Sequence, residues 1–432
     1  MCRGRLWWLV LARGQAVFID KTADSCLNTF MKITTVETIH CDAGWRVWTF
    51  VKIQTDEGIT GWSECTDSHG SPRAIEGVVR DLRDLVIGKD PMAVEKIYWE
   101  LYSRTRQSTG SVIQKAIAGI ENALLDIKGK SLDVPVYEFL GGKIRDSIRV
   151  YWSHCGTSRV RAAHHVKQKP ITSLEGIAEM GREVKERGFT ALKTNIALFG
   201  GKEPVIYPHT NGIGVGVYMP AFAKSLGGPE LNADRNLIRQ IVSYVEAWRK
   251  AVGDEIDIML DLNFNFRTEG FIKIGRALEP YDLTWLELDT YDPDAMRLIK
   301  DAVRIPVCTG ENLYGAREYR PFFERHAMDV ASVDISWNGA WQSKKIADMA
   351  EVYEINIAPH NHHSHFGTFM TAHFAAAIPN LRILEVDIDD VPWKDEIVTK
   401  RPDIKNGALA VPDGPGWGVD INESVIKKHP WP

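Results

Sequence analysis

In the second half of the chain, short apolar runs recur at a near-constant interval. The runs 256–260, 284–286, 305–307, 330–333, 355–359 and 381–384 each lead, directly or within a few residues, to an ionisable side chain. Those side chains are Asp261, Glu287, Glu311, Asp334, His360 and Glu385, spaced 26, 24, 23, 26 and 25 residues apart. Runs of this length without polar alternation read as strands buried on both faces, and the interval leaves room for one helix between them. In a parallel βα barrel the C-terminal strand ends open on one face, so the six residues are expected to converge on one pocket.

Upstream the pattern changes. Segments 33–41 and 45–55 alternate apolar and polar residues, Asp56-Glu57-Gly58 turns the chain, and 59–65 returns as an antiparallel partner. Helical spacing follows at Ile113, Ile117, Ile120, Leu124 and Ile127, and Gly129 is expected to end that helix. The first barrel strand is expected near 148–152, a helix over 174–187 and a second strand over 190–195, which brings the strand count to eight. From Lys193 to Asp261 is 68 residues, more than one βα unit needs, and the excess at 201–234, rich in Gly and Pro, reads as a flap over the barrel mouth. Within it Gly212, Gly214 and Gly216 superficially resemble a phosphate loop but lack the Lys-Ser/Thr that such loops carry.

The length of 432 residues allows a barrel of roughly 250 residues plus a second domain. The expected fold is α/β, a modified (β/α)8 TIM-type barrel of (β/α)7β form, with an N-terminal α+β capping domain completed by the C-terminal tail. Expected boundaries are 31–147 for the cap, 148–387 for the barrel and 388–432 for the tail. Residues 1–30 carry Arg3, Arg5 and a short apolar run without a clear cleavage site, and are set aside as an artefactual or disordered extension.

Composition narrows the function. With 44% hydrophobic and 25% charged residues and a net charge of −5, the chain offers no polycation for nucleic acid or an anionic membrane. Six scattered cysteines, without Cys-x-x-Cys, fit reduced thiols in the cytoplasm. A small-molecule substrate and self-association of identical subunits are expected.

Three carboxylates from consecutive strand ends, Asp261, Glu287 and Glu311, would repel one another unless they held a cation, and oxygen-only ligation suits Mg2+, with Mn2+ as a substitute. Asp334 and His360 can pair so that the carboxylate orients the imidazole as a general base. Lys193 and Asn195 alternate on one strand and point the same way; Asn195 can hydrogen-bond but cannot take a proton.

This ordered set, with Gly119-Ile120-Glu121-Asn122-Ala123-Leu124-Leu125-Asp126-Ile127-Lys128-Gly129-Lys130 and Leu140-Gly141-Gly142-Lys143, resembles the enolase superfamily and, within it, the mandelate racemase-like acid-sugar dehydratases. The resemblance spans residues 31–432. It implies metal ligation by Asp261, Glu287 and Glu311, a His360–Asp334 dyad, Lys193 facing the developing oxyanion, Glu385 near the substrate carboxylate, and substrate contacts from Asn195, Asn263 and His362. Two positions depart from the family pattern. Asn195 stands where a second lysine is common, and Glu287-Leu288-Asp289 replaces Glu-Glu-Pro, which makes Asp289 a rival to Glu287.

The implied reaction is Mg2+-dependent removal of the proton α to a carboxylate and loss of the β-hydroxyl, giving a 2-keto-3-deoxy sugar acid from an aldonate or aldarate. Racemisation or epimerisation, and sugar-acid binding without turnover, remain as alternatives. A zinc hydrolase built on the run from His360 to His365 and a metal-free glycosidase are the other readings. His362, His363 and His365 are expected in a loop, where they could meet substrate hydroxyls.

Overall fold

A computed structural model of the chain describes residues 7–12, 15–20, 30–67, 71–108, 110–201, 203–207 and 233–431. Residues 7–12 and 15–20 pair as an antiparallel hairpin, an element the sequence reading did not assign. Most of the expected flap, 208–232 with Gly212, Gly214 and Gly216, lies outside the described residues.

The cap opens with three antiparallel strands, Ile33–Asp42, Val47–Thr55 and Thr60–Glu64. The turn between the second and third uses Gly58 at φ 81, a conformation open to glycine. Helices Pro72–Arg83, Val94–Thr105 and Ser111–Leu132 cover this sheet. The third helix does not stop at Gly129 as expected. It runs to Leu132 and is capped by Asp133 in the left-handed region, with the Asp133 N–H bonded to the carbonyls of Gly129 and Lys130. Gly129 serves close approach instead, since a Cβ there would lie 2.6 Å from the Gly416 Cα.

Eight parallel strands form the barrel: Ser147–Ser153, Ala191–Asn195, Asp257–Asp261, Trp285–Glu287, Val307–Thr309, Val330–Ala331, Asn356–Ile357 and Leu384–Asp387. The first seven pair in order, and the eighth pairs with the first. The ring closes through the Ile357 N–H to Asn380 and the Arg382 N–H to Ile357, at 2.8 and 2.7 Å. No α-helix comes directly after the eighth strand, which makes the form (β/α)7β; a short 3-10 turn, Pro392–Asp395, leads the chain back to the cap, and the one-turn helix Glu423–Ile426 lies further on in the tail.

That return is tightly made. The Trp417 indole donates to the carbonyls of Trp62 and Asn122, Lys130 reaches Asp126 and Asp420, and the Asp42 N–H bonds the His429 carbonyl. Among the described residues no helix is long and apolar enough to cross a membrane.

One apolar layer inside the barrel sets up everything above it. Tyr151, Ala191, Met259, Trp285, Cys308, Val330, Ala358 and Ile383, one from each strand or its edge, form a separate buried cluster. Side chains of a strand alternate between faces, so the inward residue two places later lies one level nearer the C-terminal mouth. Those places hold Ser153, Lys193, Asp261, Glu287, Gly310, Ser332, His360 and Glu385.

Candidate active site

Strand register brings the first part of the site together: Asn195, Asp261 and Glu287 lie level across the second, third and fourth strands. Lys193 extends into the barrel and bridges Glu287 at 2.8 Å and Glu385 at 2.9 Å. Burial works against the ammonium, but these two carboxylates outweigh it and hold its pKa well above the usual value. Asn195 Nδ2 donates to Asp261 Oδ2 at 3.0 Å, and Asn263 donates to the same carboxylate from its backbone at 2.9 Å and its side chain at 3.0 Å. Asn263 sits at φ 44, a left-handed conformation that asparagine tolerates better than most residues.

Around this lysine the carboxylates are crowded. Asp261, Glu287, Asp289 and Glu311 are all buried. Burial first, then Glu311 and other carboxylates working against Lys193, raises Asp261 to about 6. Glu287 rises to about 7 for the same reason, with Asp261, Glu385 and Glu311 as its neighbours. Asp289 is raised well above its ordinary value by burial and by Glu311, Asp261 and Glu287; its neutral partners are Thr309 and Asn312, each at 3.3 Å. The structure therefore brings both Glu287 and its rival Asp289 to the cluster, with Glu287 engaged by Lys193 and by the Trp285 indole at 3.1 Å.

Dry carboxylates this close are costly without further positive charge. Their donors are all oxygen, so the set fits a hard divalent cation such as Mg2+, and Asp261, Glu287, Asp289 and Glu311 are the residues that could hold it. Two other groups already have ligand atoms within 4.8 Å of one another: Asp334 with His360 and His363, and His154 with His362 and Asp387. In each, one carboxylate lies between two imidazoles, which is the geometry of hydrogen bonding and charge pairing rather than of an open metal site.

His360 Nδ1 lies 2.6 Å from Asp334 Oδ2, as the dyad requires. His363 Nε2 approaches the same oxygen at 2.8 Å, and the Trp337 N–H donates to Asp334 Oδ1 at 2.9 Å, so Asp334 also caps the helix Ile335–Asn338. Although burial opposes ionisation, His363 and His360 together hold the Asp334 carboxyl well below its usual range. The other His360 nitrogen, Nε2, faces Glu311 at 3.4 Å, and Trp337 covers the ring at 4.9 Å between centroids. Burial lowers the His360 pKa, but Glu311, Asp334 and Glu385 outweigh it and lift it to about 10. Glu385, buried and ringed by Lys193, Ser153 and the Asn361 N–H, is brought down to about 2, chiefly by Lys193 against its own burial.

The loop expectation holds for His362 and His363, which precede the helix, and needs correction for His365. His363 is fully buried on Asp334, and His365 opens the helix His365–Ala377 and pairs with Asp395 at 2.7 Å, so each is engaged by a carboxylate of the protein. His362 lies apart from the dyad, 6.3 Å from the His360 ring, beside Asp387, His154 and the cap residue Trp45. Ser153 and Asp387 also carry a signal in the sequence: Ser153 is the inward residue above Tyr151, and Asp387 the inward residue after Glu385.

Comparison with known proteins places this geometry. Residues 176–425 match the enolase C-terminal domain-like family, and residues 31–141 match the mandelate racemase / muconate lactonizing enzyme N-terminal domain. A D-xylonate dehydratase of Haloferax volcanii is 32% identical over 92% of this chain and 89% of its own. A D-galactonate dehydratase of Xanthomonas euvesicatoria pv. vesicatoria is 28% identical over 92% of this chain and 94% of its own. Among solved structures, one from Burkholderia xenovorans strain LB400, provisionally named an L-alanine-DL-glutamate epimerase and bound to magnesium and fumarate, has a TM-score of 0.87 and 44% identity, covering 92% of this chain and 96% of that one. A member of the enolase superfamily from Salmonella Typhimurium has a TM-score of 0.81 and 30% identity over 93% of this chain and 99% of that one.

Proposed function

Because the chain belongs to the mandelate racemase/muconate lactonizing enzyme family of the enolase superfamily, we propose that it is a Mg2+-dependent dehydratase of an acid sugar. The observation that carries this reading is the asymmetry of the two faces of the site. On one stands the His360–Asp334 pair at 2.6 Å; on the other Asn195 is bonded to Asp261 at 3.0 Å and has no proton to exchange.

Glu311 is the first of the carboxylates that lift His360, and a cation meeting the Glu311 charge would remove that lift and leave the imidazole free to be neutral. His360 then takes the proton α to the substrate carboxylate, and Asp334 holds the resulting imidazolium in place. Lys193, already charged and aimed into the barrel, faces the oxyanion that forms as the proton leaves. Protonated His360 then returns its proton to the β-hydroxyl on the same face, water departs, and the enol tautomerises to the 2-keto-3-deoxy acid. Mg2+ held by Asp261, Glu287 and Glu311 would supply Lewis-acid stabilisation at the carboxylate end of the substrate, a pattern for which enolase-superfamily sites are themselves the reference case. Asn195, Asn263 and the neighbourhood of His362 are the substrate contacts we propose. The dehydratase relatives support elimination as the outcome.

The test is turnover of mono- and diacid sugars in the presence of Mg2+, with semicarbazide to detect the 2-keto-3-deoxy product and with EDTA and His360→Asn as controls. Product that disappears in both controls is the expected result. Deuterium entering the α position from D2O without loss of water would replace the proposal by epimerisation, the reading that the name of the Burkholderia neighbour favours.

A further inference from the structure

Beyond His360, on the side covered by the cap, a second group of polar side chains takes no part in the chemistry above. Trp45, from the loop between the first two cap strands, lies 4.6 Å from the His362 ring, and His362 lies 4.5 Å from His154. Arg161, in the short helix Thr157–Arg161 after the first barrel strand, places its guanidinium 4.8 Å from the Trp45 ring. His154 is held at φ 47, in the left-handed region.

The charges here do not balance. Arg46 and Lys394 both pair with Asp390, at 2.6 and 2.9 Å. Asp387 meets His154 at 2.8 Å and His362 at 2.9 Å, with Arg46 at 3.9 Å. Arg161 has no carboxylate within ion-pair distance among the described residues; it feels Asp387 and Asp261 only at longer range, and burial pulls its guanidinium down to about 10. The Trp45 indole N–H, on a side chain only 4% exposed, also lacks a partner among the described residues, as does Arg46 Nε. Arg161 is partly exposed, but the Trp45 and Arg46 donors are shut away from solvent, and donors left unmet there are expensive unless a ligand brings the acceptors.

A metal cation would be an alternative occupant for His154, His362 and Asp387, but it would sit beside Arg46 and Arg161, whose charges repel it. An oxyanion on the Arg161 and Trp45 side would meet two donors without partners among the described residues, while Asp387 is already flanked by His154, His362 and Arg46. On the reading of the site as that of an acid-sugar dehydratase, we infer that Arg161 and the Trp45 indole N–H receive a second anionic group, a carboxylate or a phosphate ester, at the end of the substrate remote from the reacting carbon. The preferred substrate is then a doubly anionic sugar acid, an aldarate or a phosphorylated aldonate, and not a simple aldonate.

Calorimetric titration of the Mg2+-loaded His360→Asn protein tests this without turnover. A hexarate, the matching hexonate and the 6-phosphohexonate are the three probes, and the third separates phosphate from carboxylate. A doubly anionic probe is expected to bind about tenfold to a hundredfold tighter than the hexonate, as a charge-assisted hydrogen-bonded contact implies. Adding Arg161→Met should erase that preference, Arg161→Lys should restore part of it, and Trp45→Phe should weaken it less. Equal affinity for all three probes, no binding of any of them, or a preference that survives Arg161→Met overturns the inference. Turnover by the wild-type protein separates the two levels. An Arg161-dependent preference with no keto-deoxy product from any sugar acid sinks the dehydratase and leaves the anion pocket; equal kcat/KM on aldonates and doubly anionic acids sinks the pocket and leaves the dehydratase.

Discussion

Asp126, where the C-terminal segment meets the cap, and Asp261, in the barrel mouth, are both buried, and burial raises both to about 6. Their surroundings differ. Asp126 accepts from the N–H groups of Trp62 and Trp417, at 2.8 and 3.0 Å, and from Lys130 at 2.7 Å, and every named influence on it other than burial favours its charge. Asp261 has the amides of Asn195 and Asn263, but Glu311 and Glu385 press on it with like charge, and Lys193 is shared with Glu287. A displaced pKa therefore does not by itself mark a functional group. What separates the site from the seam is crowding of like charges around too few cations.

Changes that break the contrast should fall in order of size. Replacing His360 by Asn removes the proton carrier, and kcat for the preferred acid sugar should drop by about a hundredfold to ten-thousandfold, measured as keto-deoxy product per unit time. Asp126→Asn strikes the other region: it strips a charged acceptor from Lys130 and two backbone N–H groups. Denaturant unfolding should show a loss of about 2–4 kcal/mol, with kcat retained below the unfolding range.

Asp261→Asn should do the reverse. Without metal it relieves the repulsion and stabilises the protein, by up to about 3 kcal/mol near neutral pH, while the gain in Tm on adding Mg2+ disappears. The pH dependence follows from the same shifts. Asp261 and Glu287 have folded-state values raised to about 6 and about 7, so their protonated forms suit the fold. In the metal-free protein their contribution is intact below about pH 4 and is lost as pH rises through about 7; Mg2+ should flatten that slope. In the seam His373 runs the other way. Burial lowers it to about 4, so its contribution is present above about pH 6.5 and is lost as pH falls through about 4. Thermal unfolding of wild type and His373→Gln across that range separates the two. Smallest of all, His363→Gln should lower kcat by about tenfold, because Asp334 keeps one imidazole partner and loses its other.

The barrel and most of its mouth were legible because two periods coincide. Strands repeat with the βα unit, and side chains alternate by two within each strand, so Lys193, Asp261, Glu287, His360 and Glu385 fall above the apolar layer of Ala191, Met259, Trp285, Ala358 and Ile383. Asp289 stands out as a rival of Glu287 because Glu287-Leu288-Asp289 replaces Glu-Glu-Pro, and alternation also makes it the next inward residue. Residues that reach the site through loops obey neither period. Arg161, His154 and Trp45 converge through tertiary packing of the cap on the barrel, and a single sequence holds no register for that. Gly129 misled because glycine has two uses, and the close approach of Gly416 was hidden in a segment nearly 300 residues away. His363 lay in a polar run that reads as loop, although its role is to brace Asp334 from within the core.

The central claim is that the crowded carboxylates above the apolar layer are a divalent-cation site. Anomalous scattering from a crystal of the full-length protein grown with Mn2+ tests it most directly. The account predicts a peak bounded by Asp261, Glu287 and Glu311, and a peak at His154, His362 and Asp387, or none within the barrel mouth, would contradict it.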